Sequence, residues 1–401
     1  MYIFSVYFRI PILYTAYRFG DMEIDVDCPL CDDHKGKMNL NLQKNVFRCN
    51  RCGESGGMLN LYAKAYGVDI KTARKEIIEA TGRTDFKREM LHRKDMERTE
   101  TQITNAVMAS DADKHKTYSK LFDMLILADC HKNNLLKRGF TEEQIVENGY
   151  KSTPVYGFRN LTKRLIEEGC TVEGVPGFYK DKDGEWTVYF NRKSSGFMIP
   201  VRNIYGLITG VQIRLDHPYE GRKYIWLSSV NFEKGTTSGS PVHFVGNPGE
   251  KTVFVTEGPL KGDLAHALSG RTFLCVPGVN QSLNLLPVLK EMKNQGTTFV
   301  YEAYDMDKLL ATACHGDYSE KCRECPCINK DWKHEKIPCS KKQIKRDNID
   351  KGCNKLAQIC KEVGLTGKTL TWDTDAEGNW AENVKGVDDY LVSLQQKKLE
   401  E

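Results

Sequence analysis

Thr252-Val253-Phe254-Val255-Thr256-Glu257-Gly258-Pro259-Leu260-Lys261 is a short apolar run that closes on an acid and a glycine just before a helical pattern begins. Two similar runs follow, Thr272 to Val276 and Thr298 to Tyr304, with helical periodicity from Leu260 to Leu268 and from Leu283 to Met292 between them. Short apolar strands alternating with helices of this length predict a parallel sheet of α/β type. Functional residues of such a sheet belong at the carboxyl ends of its strands. The sequence places Glu257-Gly258 after the first strand and Asp305-Met306-Asp307 after the third.

Acidic side chains meeting at one sheet edge are hard oxygen ligands suited to Mg2+ or Mn2+, which keep several waters and complete their shell from substrate phosphates. A cation held there neutralises a triphosphate and lowers the pKa of an attacking hydroxyl. A lone Asp-x-Asp at a strand end suits helix capping equally well. A second acid at a matched strand end tips the reading toward a metal site of Glu257, Asp305 and Asp307. Gly258 permits close approach of the backbone.

Upstream, Trp186 to Phe190, Phe197 to Val201, Leu207 to Ile213 and Tyr224 to Leu227 read as strands separated by Gly, Asn and Asp turns, which predicts a mixed or antiparallel sheet. Before them, residues 118–150 show helical periodicity through Leu121, Leu125, Leu127, Leu135 and Leu136, and Thr141-Glu142-Glu143-Gln144 reads as a capped helix start. Residues 83–117 are dense in charge and threonine, the pattern of a charged linker or a solvated helix.

Near the N-terminus, Cys28-Pro29-Leu30-Cys31 and Cys49-Asn50-Arg51-Cys52 form two CxxC knuckles separated by 17 residues. That spacing is the signature of a structural zinc ribbon, in which a short β-hairpin brings two thiolate pairs around one ion and leaves no open position for substrate. Helical patterns through Met58, Leu59, Leu61, Tyr62 and Ala65 and through Ala73, Ile77 and Ile78 complete the module, which ends near Gly82. A second cluster, Cys314, Cys322, Cys325, Cys327, Cys339 and Cys353 with His315 and His334, follows the Asp-x-Asp. Cys322-Arg323-Glu324-Cys325 is a knuckle, and Cys339 with Cys314 or Cys327 would complete a second zinc site. Free thiols or an iron–sulfur cluster are the other readings. Lys333, Lys336, Lys341, Lys342, Lys345 and Arg346 beside it suggest a flap that faces nucleic acid.

With 40% hydrophobic and 28% charged residues over 401 positions, the chain has a globular composition. The formal net charge of +4 does not by itself mark a nucleic-acid binder. Residues 321–361, however, hold twelve Lys or Arg against five Asp or Glu, an excess larger than that of the whole chain. Fourteen cysteines clustered as pairs, without an export signal, favour metal binding in a reducing cytosol over a disulfide scaffold. The apolar start, Met1 to Tyr7 and Ile10 to Tyr17, is interrupted by Arg9 and Arg18 and is expected to be the first packed element of the ribbon module. Two weaker motifs are set aside. Gly53-Glu54-Ser55-Gly56-Gly57 matches a nucleophile elbow but sits on a zinc knuckle, and Gly367-Lys368-Thr369 lacks the first glycine of a P-loop, having Glu362 instead.

Zinc ribbon, mixed sheet, then a parallel unit with Glu-Gly and Asp-x-Asp: in this order the chain resembles bacterial DnaG-type primases, whose catalytic core is a Toprim fold. Cys28 to Ala80 is similar to the primase zinc-binding domain, although many primases carry His where this chain has Cys31. Phe197 to Arg202, Gly210 to Arg214 and Lys223-Tyr224 resemble the N-terminal half of the polymerase domain. Arg214, Lys223 and Lys234 match its basic ridge, which in that family guides the template strand and nucleotide phosphates. Thr252 to Leu268 and Thr298 to Lys308 resemble Toprim motifs. Lys385-Gly386-Val387-Asp388-Asp389-Tyr390-Leu391 resembles the closing Lys-Asp-Pro-Asp-Glu-Tyr-Leu segment and aligns Asp388 with its second acid, a supporting ligand.

There are departures from the family pattern. Lys261 stands where the family often has an Asp four residues after the glutamate, with Asp263 two further on, and Gly386 replaces the first closing Asp. These changes weaken a second metal site or put an ammonium in place of one cation, so Lys261 joins the nucleotide-binding residues. Glu-Gly-Pro-Leu-Lys variants recur in primase-like proteins of phages and integrated plasmids, which points to a mobile element.

The resemblance implies a multidomain α+β and α/β chain. Residues 1–82 form a zinc-ribbon DNA-binding domain, 83–117 a charged linker, 118–250 the N-terminal subdomain of the primase core with its basic ridge, and 251–397 a parallel-sheet Toprim domain with a Cys-rich insertion at about 313–353. It implies a DNA-directed RNA polymerase of primase type that uses Glu257, Asp305, Asp307 and Asp388 to join ribonucleoside triphosphates on single-stranded DNA. Its expected cofactors are Zn2+, in one or two sites, and Mg2+ or Mn2+. A separate replicative helicase is the expected partner and the bacterial cytosol the expected location, with no membrane attachment. The alternative is a degenerate primase-like protein that binds single-stranded DNA without synthesis. A topoisomerase or nuclease built on the same fold is disfavoured, since a topoisomerase needs a further tyrosine-bearing domain.

Overall fold

The computed structural model describes residues 16–19, 23–31, 33–41, 46–81, 105–190, 194–219, 222–314, 337–372 and 384–400, together with Cys322, Cys325 and Thr374. The chain divides into two compact units, Met1–Gln102 and Ile103–Glu401. The apolar start up to residue 15 and residues 83–104 of the expected linker lie outside the described residues.

In the first unit, β1 (Ala16–Phe19), β2 (Glu23–Cys28), β3 (Asp33–Asn41), β4 (Val46–Cys49) and β5 (Ser55–Gly57) form an antiparallel sheet in chain order. Two helices follow, α1 (Met58–Tyr66) and α2 (Ile70–Thr81). On β3 the two-residue repeat turns Met38 and Leu40 inward, where they join Ile24, Val26, Phe47, Leu61, Ala73 and Ile77. The described apolar core of this unit is small, and a core of that size leaves a small module marginal without a staple. Bound metal contributes directly to folding in such a module.

The second unit begins with α3 (Asp111–Asp123), α4 (Asp129–Lys137), α5 (Glu142–Asn148), β6 (Lys151–Ser152), α6 (Phe158–Glu167), the paired β7 (Phe178–Lys180) and β8 (Trp186–Val188), then β9 (Gly196–Arg202), β10 (Ile208–Tyr219) and β11 (Arg222–Trp226). The order β11-β10-β9-β6 makes an antiparallel sheet, as the strand pattern predicts. Thr141 and Gln144 form the reciprocal capping box expected from the sequence. The structure differs at α3, which starts at Asp111 under a Ser110 cap, inside the segment read as linker. Its first turns are charged, and only Lys114, Thr117, Tyr118, Leu121 and Phe122 are buried, so apolar periodicity becomes visible only from Tyr118 onward.

The remainder consists of β12 (His243–Val245), β13 (Thr252–Glu257), α7 (Pro259–Ser269), β14 (Thr272–Val276), α8 (Leu285–Asn294), β15 (Phe299–Glu302), a 3-10 turn (Met306–Leu309), α9 (Ser340–Val363), β16 (Thr366–Thr369) and α10 (Val387–Glu400). The sheet order is β12-β14-β13-β15-β16, parallel except for β12. Both faces are covered. Val253, Val255, Leu274, Leu289, Met292 and Leu356 share one core, and Ala265, Phe273, Cys275, Trp372 and Val387 share another. Each fully buried aliphatic side chain of this kind contributes on the order of 1.5–3 kcal/mol. The chain leaves β13 for β14 on one side and returns to β15 on the other, so strand order reverses at β13. A crevice opens at the carboxyl ends of strands at such a point. Gly367-Lys368-Thr369 lie within β16, which excludes a phosphate loop there. Among the described residues no helix is long and apolar enough to cross a membrane.

Candidate functional site

Cys28 ends β2 and Cys49 ends β4, and a tight turn after each strand carries Cys31 or Cys52 back beside it. All four thiols are buried, and their sulfur atoms lie within 4.8 Å of one another. The Cys28 and Cys52 Sγ atoms are 3.9 Å apart and those of Cys31 and Cys49 are 3.8 Å apart. Zinc–sulfur bonds of about 2.3 Å span a tetrahedron whose edges are about 3.8 Å, so the four cysteines fit zinc. Hydrogen bonds among the four thiols push Cys49 and Cys52 down and Cys28 and Cys31 up. With four sulfur ligands the site is closed, and its role is structural.

At the sheet edge, β13 delivers Glu257, and Gly258 turns the chain into α7 with φ 77° and Pro259 in the first helical position. That φ favours glycine. Asp305 follows β15, the parallel neighbour of β13. It occupies the cap position of the 3-10 turn, yet its side chain makes no capping hydrogen bond. Instead its Oδ1 accepts from the Lys261 ammonium of α7 and its Oδ2 lies 3.2 Å from Lys385 Nζ. Asp307 is held by Lys345 of α9 at 2.8 Å and by Lys385. The Met306 N–H donates to the Lys385 carbonyl at 3.0 Å, which docks the segment before α10 and sets Lys385 between the two aspartates. Asp388, in the first turn of α10, is buried, and its Oδ1 has no hydrogen-bond partner among the described residues. A Cβ on residue 386 would stand 2.3 Å from that oxygen, so Gly386 makes room for Asp388 where an Asp would displace it.

Burial first, and the neighbouring Asp305 second, push the Glu257 carboxyl up to about 7, against the opposing pull of Lys261 and Lys385. Burial likewise raises Asp388 to about 6. Burial opposes ionisation of Asp305 too, but Lys261 and Lys385 outweigh it and hold that carboxyl below its usual range. Burial also works against the charge on Lys261, yet Asp305, Glu257 and Asp388, in that order, hold the ammonium above the usual lysine range.

The four acids therefore share one edge, but lysines space them apart. Among the described residues, the only set of three or more His, Cys, Asp or Glu side chains whose ligand atoms lie within 4.8 Å of one another is Cys28, Cys31, Cys49 and Cys52. Four carboxylates facing three ammonium groups leave one formal negative charge. The orphaned Asp388 Oδ1 and the Glu257 carboxylate, which accepts no hydrogen bond from a described residue, are the donors that one hard cation would satisfy. Asp263 plays no part here. Its oxygens bind His243 Nε2 at 2.8 Å and accept from the Tyr150 hydroxyl at 2.7 Å, and His243 Nδ1 accepts from the Arg202 N–H. This buried chain ties β9, β12 and α7 together.

The three ridge residues are not drawn to one place. Arg214 donates to the Tyr224 hydroxyl at 3.0 Å and lies over its ring. Lys223 is exposed and, by strand alternation, leaves the opposite face of β11 from Tyr224. Lys234 pairs with Glu173 at 3.4 Å. Arg138, just past α4, is a residue the sequence reading missed. Burial and the nearby Arg214 lower its pKa, and Tyr224, Asp388 and Asp389 support its charge, so it links the Arg214 face to the acid edge.

In the second cysteine cluster Cys314, Cys322 and Cys339 are buried and Cys325 is half-buried, but the described members do not meet as a ligand set. Cys327, His315 and His334 lie outside the described residues, as do Lys333 and Lys336. Of the expected basic flap, Lys342 donates to the Ala313 carbonyl and Lys345 turns to Asp307, so both are used internally.

This fold and these sites define a zinc-ribbon protein with an acid-edged, largely parallel sheet. No family model matches the chain. A DNA primase of Lactococcus lactis subsp. lactis (strain IL1403) is 24% identical over 204 residues, which cover 49% of this chain and 28% of that protein's length. Among solved structures, the zinc-binding and RNA polymerase domains of the Aquifex aeolicus primase align at 14% identity and a TM-score of 0.46, covering 99% of this chain and 81% of that one. The RNA polymerase domain of Mycobacterium tuberculosis primase DnaG, in complex with a double-stranded DNA oligomer with a 6-nucleotide overhang, aligns at 16% identity and a TM-score of 0.39, covering 61% and 81%. The chain resembles bacterial DnaG-type primases, as its motifs imply.

Proposed function

We propose that the chain is a primase-type nucleotidyltransferase that joins ribonucleotides on single-stranded DNA. The observation that most supports this reading is the pairing of Glu257 and Asp305 at the ends of adjacent parallel strands, with the unpartnered Asp388 oxygen at the same edge. Glu257 and Asp388 would hold a divalent cation such as Mg2+ or Mn2+, which supplies neutralisation of triphosphate charge and acidification of a hydroxyl. Asp305 keeps Lys261 and Lys385 charged and aimed at the edge, where they would meet phosphate oxygens. Arg138 and Arg214 would follow the strand backbone, and the zinc module would contribute to template choice. The Glu-Gly-Pro-Leu-Lys variant supports replication of a phage, plasmid or other mobile element in a bacterial cytosol, beside a separate helicase.

A second reading is favoured by one specific observation: three lysines already neutralise most of the acidic charge. On that reading the chain binds single-stranded DNA without synthesis. Labelled ribonucleotides, mixed-sequence single-stranded templates and either Mg2+ or Mn2+ separate the two. Short RNA products support the first reading, and retained DNA binding with no product under either metal supports the second.

A further inference from the structure

We infer that the Lys261 ammonium is a tethered cation that takes one of the two positive positions around the acid edge, so that the site loads a single divalent ion. The inference rests on the proposed nucleotidyl-transfer reading and deepens it.

Lys261 stands in the first turn of α7, two residues after Pro259, in a turn that contains no acid. A cation there opposes the positive end of the helix dipole. The lysine is also largely enclosed by protein, which further disfavours its charge. Three carboxylates overcome both penalties: Asp305 by a direct hydrogen bond, and Glu257 and Asp388 through space. Lys385 also answers to three acids, Asp305, Asp307 and, through space, Glu257. Lys345 contacts Asp307.

In two-metal phosphoryl-transfer sites the ions lie about 3.5–4 Å apart and share acidic ligands. Here the Asp305 oxygen that faces α7 is already occupied by Nζ. A second dication at that place would have to displace an ammonium that it also repels. With one dication the acids and lysines sum to one formal positive charge, whereas with two they sum to three before any phosphate arrives. An ammonium fixed by the fold also needs no loading from solution.

The test counts Mn2+ bound to the full-length, zinc-loaded chain without nucleotide, by paramagnetic resonance of the free ion. It is applied to the wild type, Lys261→Asp and Lys261→Met. The expected result is one Mn2+ in the wild type and two in Lys261→Asp. Lys261→Met, which removes a like charge and frees the Asp305 oxygen that it held, should bind Mn2+ about tenfold more tightly. This variant keeps the test decisive should the aspartate variant fail to fold. Two ions in the wild type, or numbers and affinities that are the same in every folded variant, would overturn the tethered cation and leave the metal site standing. No Mn2+ in any of the three would overturn the metal site itself and the inference with it.

Discussion

Lys261 and Asp305 are joined across the mouth of the sheet: the ammonium in the first turn of α7 donates to Asp305 Oδ1, just beyond the end of β15. With Lys385 on the other oxygen, one carboxylate anchors two lysines from segments 44 and 80 residues away in sequence.

Asp305→Ala is therefore expected to do more than remove one acid from the edge. It leaves two neighbouring ammonium groups without their counter-charge. Breaking a fully buried pair costs about 3–5 kcal/mol, but the Lys261 and Lys385 side chains are 29% and 37% exposed, so about 2 kcal/mol is expected here. Urea unfolding should show that loss, and primer synthesis should fall by about a hundredfold or more. Full activity with unchanged stability would contradict the role given to Asp305.

Glu257 predicts a pH signature. Its folded carboxyl, at about 7, lies above the ordinary 4.5. Between those pH values the native state binds more protons than the unfolded chain, so this residue's contribution to stability falls as pH rises. Asp388, raised to about 6, acts in the same direction. Glu257→Gln cannot ionise, and its melting temperature should exceed that of the wild type by more at pH 8 than at pH 5. A difference independent of pH would place the titration elsewhere.

How far the sequence reveals this architecture depends on which forces decide each part. β13 and β14 run over the residues that the apolar runs predict, because parallel strands covered on both faces must be continuously apolar. The zinc module is legible because ligand spacing carries its own geometry. The start of α3 is hidden because its first turns are charged and gain their place from the Ser110 cap. The lysines on Asp305 and Asp307 are hidden for another reason. Lys345 and Lys385 arrive from distant segments, and only the docking of α9 and of the loop before α10 brings them in. Lys345 read as part of a basic flap for the same reason. Asp263, two residues past Lys261 in sequence, looks like a spare ligand, but helical rotation turns it away into the His243 and Tyr150 network.

Asp263→Ala tests that division of labour. It leaves the His243 Nε2–H and the Tyr150 hydroxyl buried without an acceptor, and about 3 kcal/mol of stability should be lost. The number of Mn2+ ions bound should not change. A change in that number with little loss of stability would make Asp263 a ligand after all.

Cys49→Ser should release zinc from the first unit, as read by a colorimetric chelator assay on the denatured protein. The apolar core described for that unit is small, so its far-ultraviolet dichroism should fall with the metal. Retained zinc and an unchanged spectrum would mean that three thiolates suffice.

Manganese anomalous scattering from crystals of the full chain grown with Mn2+ tests the central claim most directly. A peak bonded at about 2.1 Å to oxygens of Glu257 or Asp388, with zinc at the four cysteines as the internal reference, is the predicted result. A clear zinc peak with no manganese at the sheet edge would mean that the lysines have closed the acid cluster to metal.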